Sequence, residues 1–246
     1  MANLRSHKVQ IKVAGANDMP AYIAIPEGAG PFPSVLVFEE IFGVNSHIRD
    51  VTDRVAQEGY VAISFDYHHR AWPPGTELGY DDAGMKRGME VIPKLSADGL
   101  RADIDATLAF LKNEKAARTD KLGAIGFCIG GHMAYYAAEH WPISATASFY
   151  GGGIATFGPS GEPTVKQTSR IKGKILCLFG KQDTMIPQDQ VATIRAALEQ
   201  ARVRHEIVVY DDATHGFFCD QRGSYNPNAA ADAWGRVKRL FAEELR

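Results

Sequence analysis

A cysteine lies at the centre of the segment Leu122-Gly-Ala-Ile-Gly-Phe-Cys-Ile-Gly-Gly-His132. An apolar run ends at Phe127 and Cys128 follows at once. Glycines at positions 126 and 130 flank the cysteine at the spacing of a G-x-S-x-G nucleophile elbow, with sulfur in place of oxygen. Such glycines let a strand and a helix approach closely around a sharp turn, and the helix N-terminus favours a thiolate. We therefore predict that Cys128 is a nucleophile; the alternative is a buried cysteine at an ordinary strand-to-helix turn.

Catalysis by a thiol needs a base and a third group that orients the base. His215 follows the last predicted strand, and Asp183 follows the strand before it. The chain order nucleophile, acid, histidine is that of the α/β hydrolases. Asp211 and Asp212 are rival acids, but they precede the histidine closely, whereas an orienting carboxylate normally comes from another strand. We therefore predict a catalytic triad of Cys128, His215 and Asp183.

Other histidines suggest metal binding, and the spacing argues against it. His132 follows Cys128 by four residues and would share a helix face with it, while His68 and His69 are adjacent. No set of cysteines and histidines has convincing zinc spacing. We expect no metal ion, and we interpret His132 as a structural residue of its helix.

The elements that must position these residues follow from the apolar pattern. Continuous apolar runs are typical of strands buried on both faces. Between these runs lie segments whose apolar residues recur at the spacing of a helix. Predicted strands cover residues 8–13, 21–25, 34–38, 60–65, 122–127, 144–150, 174–179 and 205–210, the first two as an antiparallel edge pair. Predicted helices cover residues 46–57, 100–111 after a cap at Asp98, 133–138, 188–200 and 229–245, while residues 66–94 are irregular. We expect an α/β protein with a mostly parallel central sheet of about eight strands, flanked by helices on both faces, in one domain over residues 1–246.

Composition excludes several function classes. The chain has 246 residues, 45% of them hydrophobic, and a net charge of −2, so neither nucleic acid nor a charged macromolecular surface is an expected partner. No apolar run is long enough to span a membrane, and the N-terminal segment lacks the apolar stretch of a signal peptide. The 3 cysteines are an odd number, which favours free thiols in a reducing compartment. We expect a cytoplasmic monomer that acts on a small molecule.

Four motifs together resemble the dienelactone hydrolase (carboxymethylenebutenolidase) family. They are Glu40-Ile-Phe-Gly-Val-Asn45, the Gly-Phe-Cys-Ile-Gly-Gly elbow, Gln182-Asp183 and His215-Gly-Phe217, and the similarity runs from about Pro20 to the C-terminus. The resemblance implies an α/β-hydrolase fold and hydrolysis of an enol-lactone to an open-chain carboxylic acid without a cofactor, as in the degradation of aromatic compounds. It also implies that Glu40 contacts the nucleophilic cysteine at rest and helps to activate it.

The expected cycle is an acyl transfer through a thioester. Cys128 attacks the lactone carbonyl, and backbone N–H groups of Ile129 and Ile41 bind the developing oxyanion. His215, oriented by Asp183, then activates water. Two alternatives stay open: a carboxylesterase or thioesterase of broader specificity on the same triad, and a catalytically silent binding protein on a hydrolase scaffold.

The substrate contacts are less well defined by the sequence. Tyr150, Phe42 and Trp72 are candidate pocket walls, although each is equally consistent with an ordinary core or rim position. Well-known family members hold a substrate carboxylate with arginines, one of them four residues after the catalytic histidine.

That arginine position is Cys219 in this chain. The other candidates for binding a substrate carboxylate are Arg222, Arg70 and Arg87, with Lys86 beside the last. Cys219 is a candidate rim thiol that could pair with Cys128 under oxidation, whereas Cys177, inside an apolar strand, is predicted to lie in the core.

Overall fold

The computed structural model describes residues 3–246. Residues 1 and 2, which begin the segment in which we predict no signal peptide, lie outside the described residues. The chain divides into two compact units, one ending at Leu122 and the other beginning at Gly123. Within the described residues, no helix is both long and apolar enough to cross a membrane. The single-domain organisation, the monomeric state and the cytoplasmic location stay predictions.

Eight strands form one sheet in the order β1-β2-β4-β3-β5-β6-β7-β8. β1 pairs antiparallel with β2 and β2 with β4, whereas β4 pairs parallel with β3, and β7 pairs parallel with both β6 and β8. The predicted eight-stranded, mostly parallel α/β sheet, with its antiparallel edge pair, is confirmed. The strands are β1 (Leu4–Ile11), β2 (Met19–Pro26), β3 (Phe32–Phe38), β4 (Val61–Phe65), β5 (Ala117–Phe127), β6 (Ile143–Phe149), β7 (Lys174–Gly180) and β8 (His205–Tyr210).

The described residues of the first unit, 3–122, contain three α-helices: α1 (Ser46–Gln57), α2 (Asp82–Met89) and α3 (Ala97–Asn113). The prediction that residues 66–94 are irregular is wrong, because α2 and a 3-10 turn at Ile92–Lys94 lie within them. Two glycines hid α2 from the sequence pattern, since glycine disfavours helices. The packing needs at least one of them: a Cβ on Gly88 would lie 2.8 Å from the carbonyl oxygen of Ile41.

Side-chain caps fix where these helices begin. Asn45 accepts a hydrogen bond from the N–H of Ile48 at the start of α1, and Asp81 caps α2 in the same way. The predicted cap at Asp98 is wrong, because Ser96 caps α3 by accepting from the N–H of Gly99. Asp98 instead lies in the first turn, where its negative charge complements the helix dipole.

The second unit contains α4 (Ile129–His140), α5 (Gln188–Gln200) and α6 (Pro227–Leu245). α4 packs against β6 and is apolar on nearly every side, so almost all of it is buried. A 3-10 helix at Thr164–Arg170, absent from our sequence prediction, contacts both α4 and α5. The loop from Tyr150 to Pro163 therefore begins at the end of β6 and ends in an element packed on α4.

Candidate active site

The turn between β5 and α4 has the strained geometry expected of a nucleophile elbow. Cys128 has φ 55° and ψ −124°, a region that residues with a Cβ rarely adopt. Its N–H donates to the carbonyl of Phe149 over 3.1 Å, which ties the turn to the end of β6. A Cβ on Gly126 would lie 2.0 Å from the carbonyl oxygen of Gly130, so only glycine fits there. The elbow thus presents Cys128 at the N-terminus of α4, where the N–H of Ile129 has no partner within the helix.

His215 and Asp183 form a directly hydrogen-bonded pair. Nδ1 of His215 lies 2.8 Å from Oδ2 of Asp183, and the other carboxylate oxygen accepts from the N–H of Met185 over 2.9 Å. Asp183 is buried, so its carboxylate has little competition from water. The two bonds orient the carboxylate, and the carboxylate in turn fixes the imidazole so that Nε2 is left for the reacting group.

The pKa of His215 depends on Cys128 as well as on Asp183. Burial alone would lower the pKa of this imidazole, but its proximity to Cys128 and the hydrogen bond and charge of Asp183 outweigh this effect and raise the pKa to about 10. A raised pKa keeps the imidazole protonated at neutral pH. A protonated imidazole beside a cysteine sulfur is the arrangement that activates a thiol as a nucleophile.

Tyr150 packs directly on this histidine. Its ring lies edge-on to the imidazole of His215, with 5.1 Å between centroids and an interplanar angle of 61°. Tyr150 is fully buried and has φ 38°, in the left-handed region. The sequence singled out Tyr150 as a pocket wall, but the left-handed backbone that aims its ring is not visible in the sequence.

Of the basic residues predicted to hold a substrate carboxylate, Arg222 has its guanidinium beside Gly216, the residue that follows His215. A Cβ on Gly216 would lie 2.6 Å from its Nη1, so the guanidinium rests on the backbone next to His215. Gly216 itself has φ 80°, which favours glycine. Cys219 is fully buried, so its predicted rim position is wrong. Cys177 lies in the core as predicted, where burial raises the pKa of its thiol to about 12.

In the first unit, Glu40 lies two residues after the end of β3 and is fully buried. The hydroxyl of Tyr80 donates to its Oε2 over 3.0 Å, and the amide of Asn45 donates to that same hydroxyl. Phe42 packs edge-on against the ring of Tyr80 at 4.6 Å. Tyr80 is a contact that the sequence reasoning missed, because it lies 40 residues from Glu40 in the region taken as irregular. The roles that the family resemblance gives to Glu40 and Ile41 stay predictions.

The first unit also holds three other residues that we predict to contact the substrate, namely Arg70, Arg87 and Trp72. Arg70 pairs with the buried carboxylate of Asp103, and Arg87 is exposed on α2. Trp72 packs edge-on against the buried His68, and it lines a surface cavity together with Arg70 and the turn between β1 and β2. Their assignment to substrate binding stays a prediction.

The side chains of His68 and Glu39 form a buried pair. Nδ1 of His68 lies 3.2 Å from Oε1 of Glu39, and both side chains are excluded from water. Burial lowers the pKa of His68 to about 3 and raises that of Glu39 well above its ordinary value. Both groups therefore favour their neutral forms, and we interpret the pair as structural.

Known proteins resemble the chain over nearly its whole length. Residues 19–245 match the model of the dienelactone hydrolase family. A protein of Synechocystis sp., provisionally named a carboxymethylenebutenolidase, is 46% identical over 92% of this chain and 92% of its own length. One of Salmonella typhimurium with the same provisional name is 36% identical over 92% of this chain and 83% of its own.

A solved structure resembles the chain equally completely. The crystal structure of a protein from Klebsiella pneumoniae, provisionally titled a dienelactone hydrolase, has a TM-score of 0.87 and 36% sequence identity. It covers 98% of this chain and 99% of that one. The predicted family resemblance and fold class are therefore confirmed by sequence and by structure.

Proposed function

Because the chain belongs to the dienelactone hydrolase family, we propose that it opens a small enol-lactone to an open-chain carboxylic acid through a cysteine nucleophile and a thioester. The observation that carries the proposal is the paired geometry of His215. Its Nδ1 is fixed by Asp183 at 2.8 Å, while the proximity of Cys128 raises the pKa of the imidazole. By contrast, burial lowers the pKa of His68 to about 3.

In the proposed acylation step, the reacting form of the enzyme has a Cys128 thiolate beside the imidazolium of His215. The sulfur of Cys128 attacks the lactone carbonyl, and a carbon–sulfur bond forms as the ring carbon–oxygen bond breaks. The N–H of Ile129 stabilises the oxyanion that develops on the carbonyl oxygen. The ring oxygen leaves as an enolate, which is a stabilised anion, and takes the proton of the His215 imidazolium, so that the histidine is left neutral.

Deacylation uses the same histidine as a base. Neutral His215, held by Asp183, takes a proton from water, and the resulting hydroxide attacks the thioester carbon. The carbon–sulfur bond breaks and restores the thiolate, while the acyl group leaves as a carboxylate. No other reactant is needed, because water supplies both the oxygen and the proton that the product gains.

Arg222 supports a substrate with an anionic group. Its guanidinium lies beside Gly216 and hence next to the catalytic histidine. A guanidinium can bind a carboxylate through two parallel hydrogen bonds. Arg222 would in this way replace the arginine that family members carry at the position of Cys219.

A second candidate is a carboxylesterase of broader specificity on the same three residues. It is favoured by the change at position 219, since Cys219 is buried and offers no positive charge. Turnover of cis- and trans-dienelactone, followed by loss of conjugated absorbance and compared with neutral p-nitrophenyl esters, separates the two candidates. The lactonase hypothesis predicts preferred turnover of a dienelactone that Cys128→Ala abolishes. Turnover of neutral esters alone would overturn the lactone assignment, and equal turnover by Cys128→Ala would overturn the mechanism.

A further inference from the structure

His132 is a buried histidine that the proposed mechanism does not use. It lies in the first turns of α4, four residues after Cys128, and is fully buried. Its Nε2 lies 2.7 Å from the hydroxyl oxygen of Thr164, the first residue of the 3-10 helix. His132 thus joins the helix that carries the nucleophile to the far end of the loop that follows β6.

The same ring also packs on the middle of that loop. Burial lowers the pKa of His132 to about 3. The ring of Phe157 packs edge-on against the imidazole, with 5.0 Å between centroids. A neutral histidine therefore contacts both Phe157 and Thr164.

The loop is too tightly packed to shift one segment at a time. Gly153 has φ 87°, and a Cβ there would lie 2.0 Å from the ring of Phe157. A Cβ on Gly158 would lie 2.6 Å from the hydroxyl of Thr164, whose N–H donates to the carbonyl of Phe157 over 3.2 Å. Displacing Thr164 from His132 must therefore move Phe157, and with it the backbone at Gly153.

The N-terminal end of this loop is Tyr150, whose ring packs on the catalytic His215. Its N–H donates to the carbonyl of Leu178 over 2.7 Å, but its left-handed φ of 38° is unfavourable for a residue with a Cβ. Such a conformation persists only where the surroundings enforce it. The backbone three residues later, at Gly153, packs against the ring of Phe157, which in turn packs on His132, so the clamp on the loop reaches the residue that packs on His215.

We propose that His132 is a positioning residue: through Thr164 and Phe157 it clamps the loop 150–164, so that Tyr150 holds the imidazole of His215 against Cys128. The inference rests on the proposed roles of Cys128 and His215 as nucleophile and base. It does not depend on which ester or lactone the enzyme takes. A histidine that stays neutral suits this role, because it neither competes for the proton of the nucleophile nor loosens the loop as the pH changes.

The test compares two hydroxyls on the same 3-10 helix. Thr164→Val removes the partner of His132 with little change in volume. Thr168→Val is the matched control: its hydroxyl lies 2.6 Å from that of Tyr135, so it also bonds a buried side chain of α4, but farther along both elements. The readout is the rate at which iodoacetamide alkylates Cys128 as a function of pH, followed by mass spectrometry of its peptide. This rate reports the thiolate that His215 stabilises and needs no substrate.

We expect Thr164→Val to slow alkylation at pH 6 about fivefold, which corresponds to about 1 kcal/mol, and to lower kcat by a similar factor with little change in KM. Thr168→Val should lower the Tm comparably and leave the alkylation profile unchanged. His132→Gln, whose side-chain amide can still reach Thr164, should retain the wild-type profile, whereas His132→Leu should behave like Thr164→Val. The two histidine variants decide the matter if Thr164→Val fails to fold.

Two results would overturn the inference. One is an alkylation profile that neither Thr164→Val nor His132→Leu changes, since both would then affect stability only. The other is a wild-type profile of an ordinary thiol, because His132 would then support no pairing at Cys128. If the enzyme does not hydrolyse the dienelactone but its alkylation profile is that of an activated thiol and depends on His132, the proposed substrate is refuted and the positioning role stands.

Discussion

Replacing Asp183 by asparagine should disable catalysis while preserving the fold. The carboxylate accepts two hydrogen bonds, from Nδ1 of His215 and from the N–H of Met185. An amide has one acceptor oxygen. If that oxygen stays on Met185, the amide N–H₂ faces Nδ1 of His215 and places the imidazole proton on Nε2. The histidine then cannot accept a proton from Cys128 or from water.

The size of the loss follows from these contacts. A hydrogen bond to a charged acceptor contributes about 1.5–3 kcal/mol, which alone corresponds to roughly a 10- to 150-fold loss in rate. Reversal of the tautomer adds to this, and in a serine protease triad the same change costs about 10⁴-fold in kcat. We expect Asp183→Asn to lower kcat by about 10³-fold or more with little change in KM.

The pH dependence gives a second readout of the same variant. Asp183 helps to hold the pKa of His215 at about 10, so the imidazolium persists up to that pH in the wild type. Without the carboxylate the pKa of His215 falls, and the alkaline limb of the pH–rate profile should move to lower pH. The matched control is Asp189→Asn on the exposed start of α5, which should leave both readouts unchanged. A rate for Asp183→Asn within tenfold of the wild type would refute the orienting role of this carboxylate.

Three further predictions concern stability and specificity. Gly126→Ala should destabilise the fold by about 3 kcal/mol or more, since its Cβ would meet the backbone of Gly130; an unchanged Tm would contradict the elbow packing. Burial raises the pKa of Glu139 from 4.5 to about 9, so between these pH values the unfolded chain binds fewer protons than the native one and stability falls as the pH rises. Glu139→Gln should flatten this fall, by on the order of 2–4 kcal/mol at pH 8, and parallel Tm–pH curves of the two proteins would disprove the shift. Arg222→Gln should raise KM about tenfold for an anionic dienelactone and leave that for a neutral ester unchanged, and equal changes for both substrates would rule out a carboxylate contact.

The sequence predicts the fold well where the apolar pattern agrees with the positions of turn-forming and helix-capping residues. The bounds of α1, α5 and β8 match their predictions. β5 begins at Ala117 rather than at Leu122, because its first residues are polar and only partly buried and so do not continue the apolar run. The helix α2 was missed because its glycines serve packing at the expense of helix propensity.

The candidate site is predictable only as far as strand ends and motifs reach. Asp183 and His215 follow consecutive strands, and the parallel pairing of β7 with β8 brings the two strand ends together. The contact of Tyr80 with Glu40 and that of His132 with Thr164 join residues far apart in the chain. No spacing rule connects such pairs, since they depend on how loops pack in three dimensions.

The most direct test of the central claim is to trap the acyl-enzyme. His215→Gln should still allow slow acylation by a dienelactone but should remove the base that activates water, so the thioester should accumulate. Rapid acid quenching and mass spectrometry should then show a mass increase equal to that of the intact lactone, because ring opening loses no atoms, and the adduct should lie on Cys128. Hydrolysis by the wild type without any adduct in the variant, or with the adduct on another residue, would contradict the cysteine mechanism.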